Sequence, residues 1–467
     1  MNITTKKIQS LETAQIHESI VQISDPKMYA LRIEKALEMA QHAGYSHLIV
    51  YGDREHFANI HYFTGYDPRF EEAILILGKE RKPTILVGNE GLHYAGIIPY
   101  EIEVVLYQSL SLVGQARTKH TADIITAAFE KAGINSESTV GVIGSKYFTI
   151  DEGGNPDYML DIPHYIVAFL KETLKGGILK NATDIMISSE YGLRTTLDID
   201  EMAVLELAGT KTSRGVLNLL THLKPGMSEI EASAYLNIDG NPLVAHPNVN
   251  FTIEAIRQGL ASPAGHLLQL GSVCNVGFGY RSSMVARTGL YAHGISELQP
   301  EFADMWESVY VPYFKILVLW YESIGIGVTG KEVVDKILAE VPEFSSLGIG
   351  LNPGHLIHND EWTNSVFVTD KEVQLRNGMA IQCDIIANPS DLPGVHVEDG
   401  LILADSELRE SFKNKYPEAW KRIERRRNTM IETLGINISD EVLPLSEIQG
   451  LLFPWMADLG TVMAVEK

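Results

Sequence analysis

Between residues 27 and 44 apolar side chains recur every three or four positions (Leu31, Ala36, Leu37, Met39, Ala40), which predicts an amphipathic helix stopped at Gly44. Short apolar runs of strand length follow at His47 to Tyr51, Ala73 to Leu77, Thr84 to Val87, Ile102 to Tyr107 and Val140 to Ile143. Thr121 to Ala132 reads as an amphipathic helix between the last two. Helices mixed with short strands predict an α/β domain over residues 1–180.

From Asp198 the texture changes. Asp198 to Leu223 reads as one long helix closed by Lys224-Pro225-Gly226. Ser228-Glu229-Ile230-Glu231 is a capping box that opens the next helix, the serine meeting exposed amides and Glu231 reaching back. Glycine-rich strands are predicted from Gly271 to Tyr280, a long helix from Pro300 to Ser323, and two strands at Met379 to Ala387 and Val395 to Leu403. A last helical region carries Arg425-Arg426-Arg427, expected on a solvated or inter-subunit face. The tail from Val442 is apolar enough to predict packing against a second, α+β domain over residues 181–467.

Composition narrows the function classes. The chain has 467 residues, 45% hydrophobic and 21% charged, which is globular composition. Its 38 basic and 60 acidic residues give a net charge of −22, which repels phosphate backbones and anionic lipid and argues against nucleic-acid or membrane partners. Its two cysteines, Cys274 and Cys383, lie in apolar runs, so no disulfide framework is expected. Met1 to Ser10 is polar, and Val309 to Tyr321 is interrupted by Lys315 and too short to span a bilayer. A cytoplasmic protein is the expectation.

Gly325-Ile-Gly327-Val-Thr-Gly330-Lys331 matches a dinucleotide fingerprint and most of a P-loop, but a helix precedes it where a strand is needed. Glu332 also stands where Ser or Thr should hold magnesium, so Thr329 to Glu332 reads as a capping box instead. No GxSxG, HExxH or CxxC motif occurs.

Alternation puts His396 and Glu398 on one face of their strand, and Gln382 and Asp384 on one face of theirs. Polar groups on otherwise apolar strands cost free energy unless paired, so these face a cavity or each other.

Five segments in order resemble the creatinase and Xaa-Pro peptidase family: Asn59-Ile-His-Tyr62-Phe-Thr-Gly65-Tyr, Glu201 to Ala208 with Lys224-Pro-Gly-Met-Ser-Glu229, Gly279 to Thr288, Gly354-His355, and Gly378 to Asp384 with Gly394 to Asp399. The resemblance implies an α/β N-terminal domain, a pita-bread catalytic domain and a homodimer. It places catalytic roles on His266, His355, Asp384 and Glu398, with His266 near the histidine that acts as base in creatinase. Tyr280, Arg287, His358 and His396 are the candidates for substrate binding, although Arg287 fits equally as an ion-pair partner of Asp384 or Glu398. Metal-dependent members hold two metals with two Asp, one His and two Glu. Here the two Asp fall on Gly277 (or Asn275) and Met284, so a dinuclear centre is not expected.

The implied function is creatinase-like hydrolysis of a C–N bond in a small nitrogen-containing substrate, with no cofactor. The alternatives are an Xaa-Pro aminopeptidase or dipeptidase with a mononuclear divalent metal on His355, Asp384 and Glu398, and a catalytically silent binding protein. The aromatic segment His61 to Tyr66 is expected either near a neighbouring subunit's pocket or in the core of its own domain.

Overall fold

The computed structural model describes residues 1–466 apart from 10, 12, 21–24, 116 and 118–120. The chain forms two compact units, one of residues 22–194 and one of residues 1–21 with 195–467. Among the described residues no helix is long and apolar enough to cross a membrane.

In the first unit a six-stranded mixed sheet carries helices on both faces. Its centre pairs His47–Gly52 antiparallel with Ala73–Gly78 and parallel with Thr139–Ile143. Every residue of the two central strands His47–Gly52 and Ala73–Gly78 is buried, as a sheet covered on both sides requires. The helices Pro26–His42 and Ala58–Thr64 pack on one face and Thr121–Ala132 and His164–Leu174 on the other. Tyr62, Phe63 and Tyr66 belong to the first of these cores. Of the two expectations for this aromatic segment, the core of its own unit is the one these three rings meet.

The second unit is built on a seven-stranded sheet whose main path is antiparallel, with Val395–Leu403 between Ala380–Ala387 and Val285–Leu290. One face is apolar: Cys274, Val276, Phe278, Ile381, Cys383, Ile385, Val395, Val397 and Leu401 alternate onto it and join one large core. The helix Val311–Ser323 seals that face, with the Tyr313 hydroxyl accepting from Val397 N at 2.7 Å and donating to Ile385 O at 2.6 Å. The long helix expected from Pro300 instead begins as a short 3₁₀ turn and a π turn, and becomes α-helical at Val311, where Pro312 fits the first turn because it lacks an N–H. Residues 1–7, read with the first domain, pair with the chain's other end: Asn2–Lys7 runs antiparallel to Thr461–Glu466.

Three capping motifs form as the residue types require. Asp198 with Glu201, Ser228 with Glu231, and Thr329 with Glu332 each close a capping box. The P-loop lookalike is thus a helix start. Its Gly330 is required by packing, since a Cβ there would lie 1.9 Å from Val366 O.

The basic triplet is solvated only in part: Arg425 is exposed, Arg427 is half-buried and Arg426 is buried. Arg426 is buried and contacts Glu206 Oε1 at 2.8 Å and Thr210 Oγ1 at 2.6 Å, while Arg425 reaches Glu447 Oε2 at 2.6 Å. Arg214 contacts Glu447 Oε1 at 2.9 Å. Burial alone would push the Glu447 carboxyl up, but Arg426, Arg425 and Arg214 pull it down to about 2. A carboxyl with a lowered folded-state pKa stabilises the fold above its unfolded pKa and loses that contribution as pH falls to the folded value. We expect this unit to lose about 3 kcal/mol of stability through Glu447 between about pH 4.5 and pH 2. Urea midpoints across that range would show it, and Glu447→Gln should flatten the dependence.

Candidate active site

Two neighbouring strands set out the site. Their register pairs Asp384 with Glu398, while His355 on the short strand His355–Leu356 pairs with Gln382. Directly opposed side chains share a face, so His355, Gln382, Asp384, His396 and Glu398 lie on the face opposite the apolar core. Further along, the same register adds Thr288, Asn275 and Asn250. A polar strip therefore crosses the sheet.

Four of these side chains converge. His396 Nε2 lies 2.7 Å from Asp384 Oδ1 and 3.9 Å from Glu398 Oε2. His355 Nε2 is 3.8 Å from Asp384 Oδ2 and 3.0 Å from Glu361 Oε1, although the latter contact is not a well-aligned hydrogen bond. The His355 ring is fully buried and stacks on Trp362, with centroids 4.2 Å apart and planes at 19°. Gln382 Nε2 donates to Met284 O at 2.8 Å and to Glu398 Oε1 at 3.3 Å.

Electrostatics separates the two carboxyls. Burial opposes ionisation of Asp384, but the hydrogen bond from His396 and the charges of His396 and His355 hold its pKa below the ordinary range. Burial pushes Glu398 well up, and the neighbouring Asp384, Glu361 and Asp399 charges push it further. His355 is raised: burial disfavours its charge, and the Glu361 and Asp384 carboxylates outweigh that penalty. The two neighbouring carboxyls are therefore pushed in opposite directions, Asp384 toward the ionised form and Glu398 toward the protonated one.

The sequence matches no protein-family model, and no curated protein matches it either. Solved structures do match. A prolidase from Thermococcus sibiricus superposes with a TM-score of 0.64 at 16% identity, covering 81% of this chain and 95% of that one. An Xaa-Pro dipeptidase from Bacillus anthracis gives 0.61 at 15% identity, with 81% and 96% covered. An X-Pro aminopeptidase from Thermotoga maritima gives 0.61 at 14%, with 80% and 95% covered. The chain has the prolidase fold.

Within the prolidase fold this site departs from a two-metal arrangement. A Cβ on Gly277 would lie 3.3 Å from Met284 Cε, so a methionine methyl lies over the glycine where two carboxylates are implied. Asn275, the other candidate position, is already committed: it accepts from Thr288 Oγ1 at 2.6 Å and donates to Asn250 Oδ1 at 3.1 Å. These residues do not fit a dinuclear centre, which needs several carboxylate oxygens to offset its charge. One ion is a different matter. His355, Asp384 and Glu398 offer ligand atoms that all lie within 4.8 Å of one another, a three-ligand set with room for an open position.

The other candidates lie elsewhere. His266 sits on a loop, with Nδ1 3.2 Å from Glu229, and contacts none of the four convergent side chains among the described contacts. Arg287 is not at the site: it points into the apolar side, where Nη2 meets Asp399 Oδ2 at 2.7 Å and Nε meets Leu451 O at 2.9 Å. Its neighbours in register are Val397 and Val276, so the pleat turns it away from Asp384 and Glu398. Tyr280 is also corrected to a core position, edge-on to Phe278 with its hydroxyl accepting from Asp239 N at 3.2 Å. His358 is buried against the first turn of the helix Ile199–His222, 3.1 Å from Glu201, rather than lining a substrate surface.

Trp362 and Glu361, which contact His355, belong to no pattern in the sequence. Their one signal is that they follow His355 on one loop. Glu229 is 37 positions from His266 and was visible only as part of a helix start.

Proposed function

We propose that this chain hydrolyses a C–N bond in a small nitrogen-containing molecule without a dinuclear metal centre. The observation that carries the reading is the cluster of His355, Asp384, His396 and Glu398 beside Gly277 and Met284. Hydrolysis joins a water oxygen to carbon as the C–N bond breaks, and the nitrogen leaves with a proton. Asp384 and Glu398 hold and polarise the substrate, His355 positions it or supplies a second acid–base group, and His266, which among the described contacts touches none of these side chains, passes the proton to the leaving nitrogen of a substrate that extends to its loop. Trp362 covers one face of the buried His355 ring, and the apolar core closes the other side of the sheet.

A second reading is favoured by the three convergent ligand atoms: His355, Asp384 and Glu398 would hold one divalent ion. Such an ion would supply Lewis-acid polarisation of a carbonyl. It would align the chain with the X-Pro cleavage for which the matched structures are named.

The experiment is a panel of amides, lactams and amidines beside X-Pro dipeptides, read by release of amine or ammonia. We expect turnover in the first group. Cleavage confined to X-Pro dipeptides would move the assignment to the second reading, and no turnover anywhere to a binding protein. The two buried free thiols suit a cytoplasmic, reducing setting. We also propose a homodimer, so sedimentation should give a mass near twice 51.7 kDa, and a monomer at micromolar concentration would refute it.

A further inference from the structure

Glu229 is fully buried, and among the described residues its ion-pair partner is His266. A carboxylate removed from water is costly unless donors surround it. Here they do. Phe251 N donates to Oε1 at 2.7 Å and Ala264 N to Oε2 at 2.7 Å, and His266 Nδ1 sits 3.2 Å from both oxygens. The backbone ties the same segments together: Glu229 N donates to His266 O at 3.1 Å, and Leu268 N to Met227 O at 2.8 Å. A second system anchors the loop from the sheet, since Asn250 Nδ2 donates to Ala261 O at 3.1 Å and Asn250 is held through Asn275 by Thr288.

An ionised carboxylate only accepts hydrogen bonds, so the ring nitrogen facing it must donate. In a neutral imidazole, the nitrogen that donates decides where the lone pair is. The His266 side chain is half exposed, 51%, while its Nδ1 end is committed to a carboxylate with no exposure. We propose that Glu229 is the positioning residue for His266: it accepts the hydrogen bond from Nδ1–H, so the proton stays on Nδ1 and Nε2 faces outward as the unprotonated, proton-accepting nitrogen. This rests on the hydrolase reading only for the use of that atom. The tautomer itself stands on the geometry.

The test is a long-range ¹H–¹⁵N correlation spectrum of the full chain with ¹⁵N-labelled histidine, His266 being assigned by its loss in His266→Gln. At a pH where the ring is neutral we expect a protonated, pyrrole-like Nδ1 and a pyridine-like Nε2. In Glu229→Gln, where one acceptor oxygen is gone and two amides still need partners, Nε2 should move toward the pyrrole-like position. With a substrate in hand, the same variant should lose kcat while KM is kept. A protonated Nε2 in the wild type, or ring shifts unchanged in Glu229→Gln, would overturn the proposal. If that variant does not fold, the wild-type spectrum decides alone. Absence of turnover would sink the hydrolase reading and leave the spectrum readable.

Discussion

Asp384→Asn is expected to lower turnover by roughly 10²–10³-fold, the range for loss of one preorganised electrostatic contact, while the chain stays folded. The substitution is nearly isosteric but cannot ionise. It removes the charge-assisted acceptor that His396 meets at 2.7 Å, and the smaller of the two carboxylate influences, after Glu361, that keep the His355 pKa up. It also removes the neighbouring charge that, after burial, pushes Glu398 highest, so Glu398 should ionise at lower pH in the variant. Steady-state kinetics with a circular-dichroism melt would check this. A variant within a few-fold of wild type would remove Asp384 from the site.

The second large effect is on stability. Asp399→Ala is expected to cost about 3–5 kcal/mol, because it leaves the Arg287 guanidinium buried without its counter-charge. Burial already pushes the Asp399 carboxyl up and Arg287 opposes that push, so neither partner is comfortable alone. The same carboxylate accepts from Gly450 N at 2.9 Å, and Arg287 Nε from its own side reaches Leu451 O, so the pair also fastens the C-terminal tail to the sheet. Replacing both partners by apolar residues of similar volume should cost much less than either single loss, since no charge is then stranded. All five tryptophans, Trp306, Trp320, Trp362, Trp420 and Trp455, lie in the second unit, so fluorescence during urea unfolding reports on it alone. A single variant that loses under 1 kcal/mol would show that water reaches Arg287.

Strand alternation made the site's nucleus legible. His396 with Glu398, and Gln382 with Asp384, share a face because the side-chain period of a strand is two. The same rule explains the miss at Arg287. Its partner is Asp399, one position from Glu398, and one position reverses the face. The capping boxes at Ser228 and Thr329 were readable because they are local. Contacts between distant segments were not: Asn2 pairs with Glu466, and His266 reaches Glu229 across a loop that no periodicity describes. The Arg425–Arg427 triplet looks solvated in an acidic chain, and only the fold brings Glu206 and Glu447 against it.

The central claim is that the site works without a pair of metals, and the decisive measurement is C–N bond turnover with metal content recorded on the same sample. Protein stripped by exhaustive chelation should hold less than one divalent ion per chain and still hydrolyse its amide, lactam or amidine substrate. Activity that vanishes on chelation and returns only as two manganese or cobalt ions bind per chain would contradict the account.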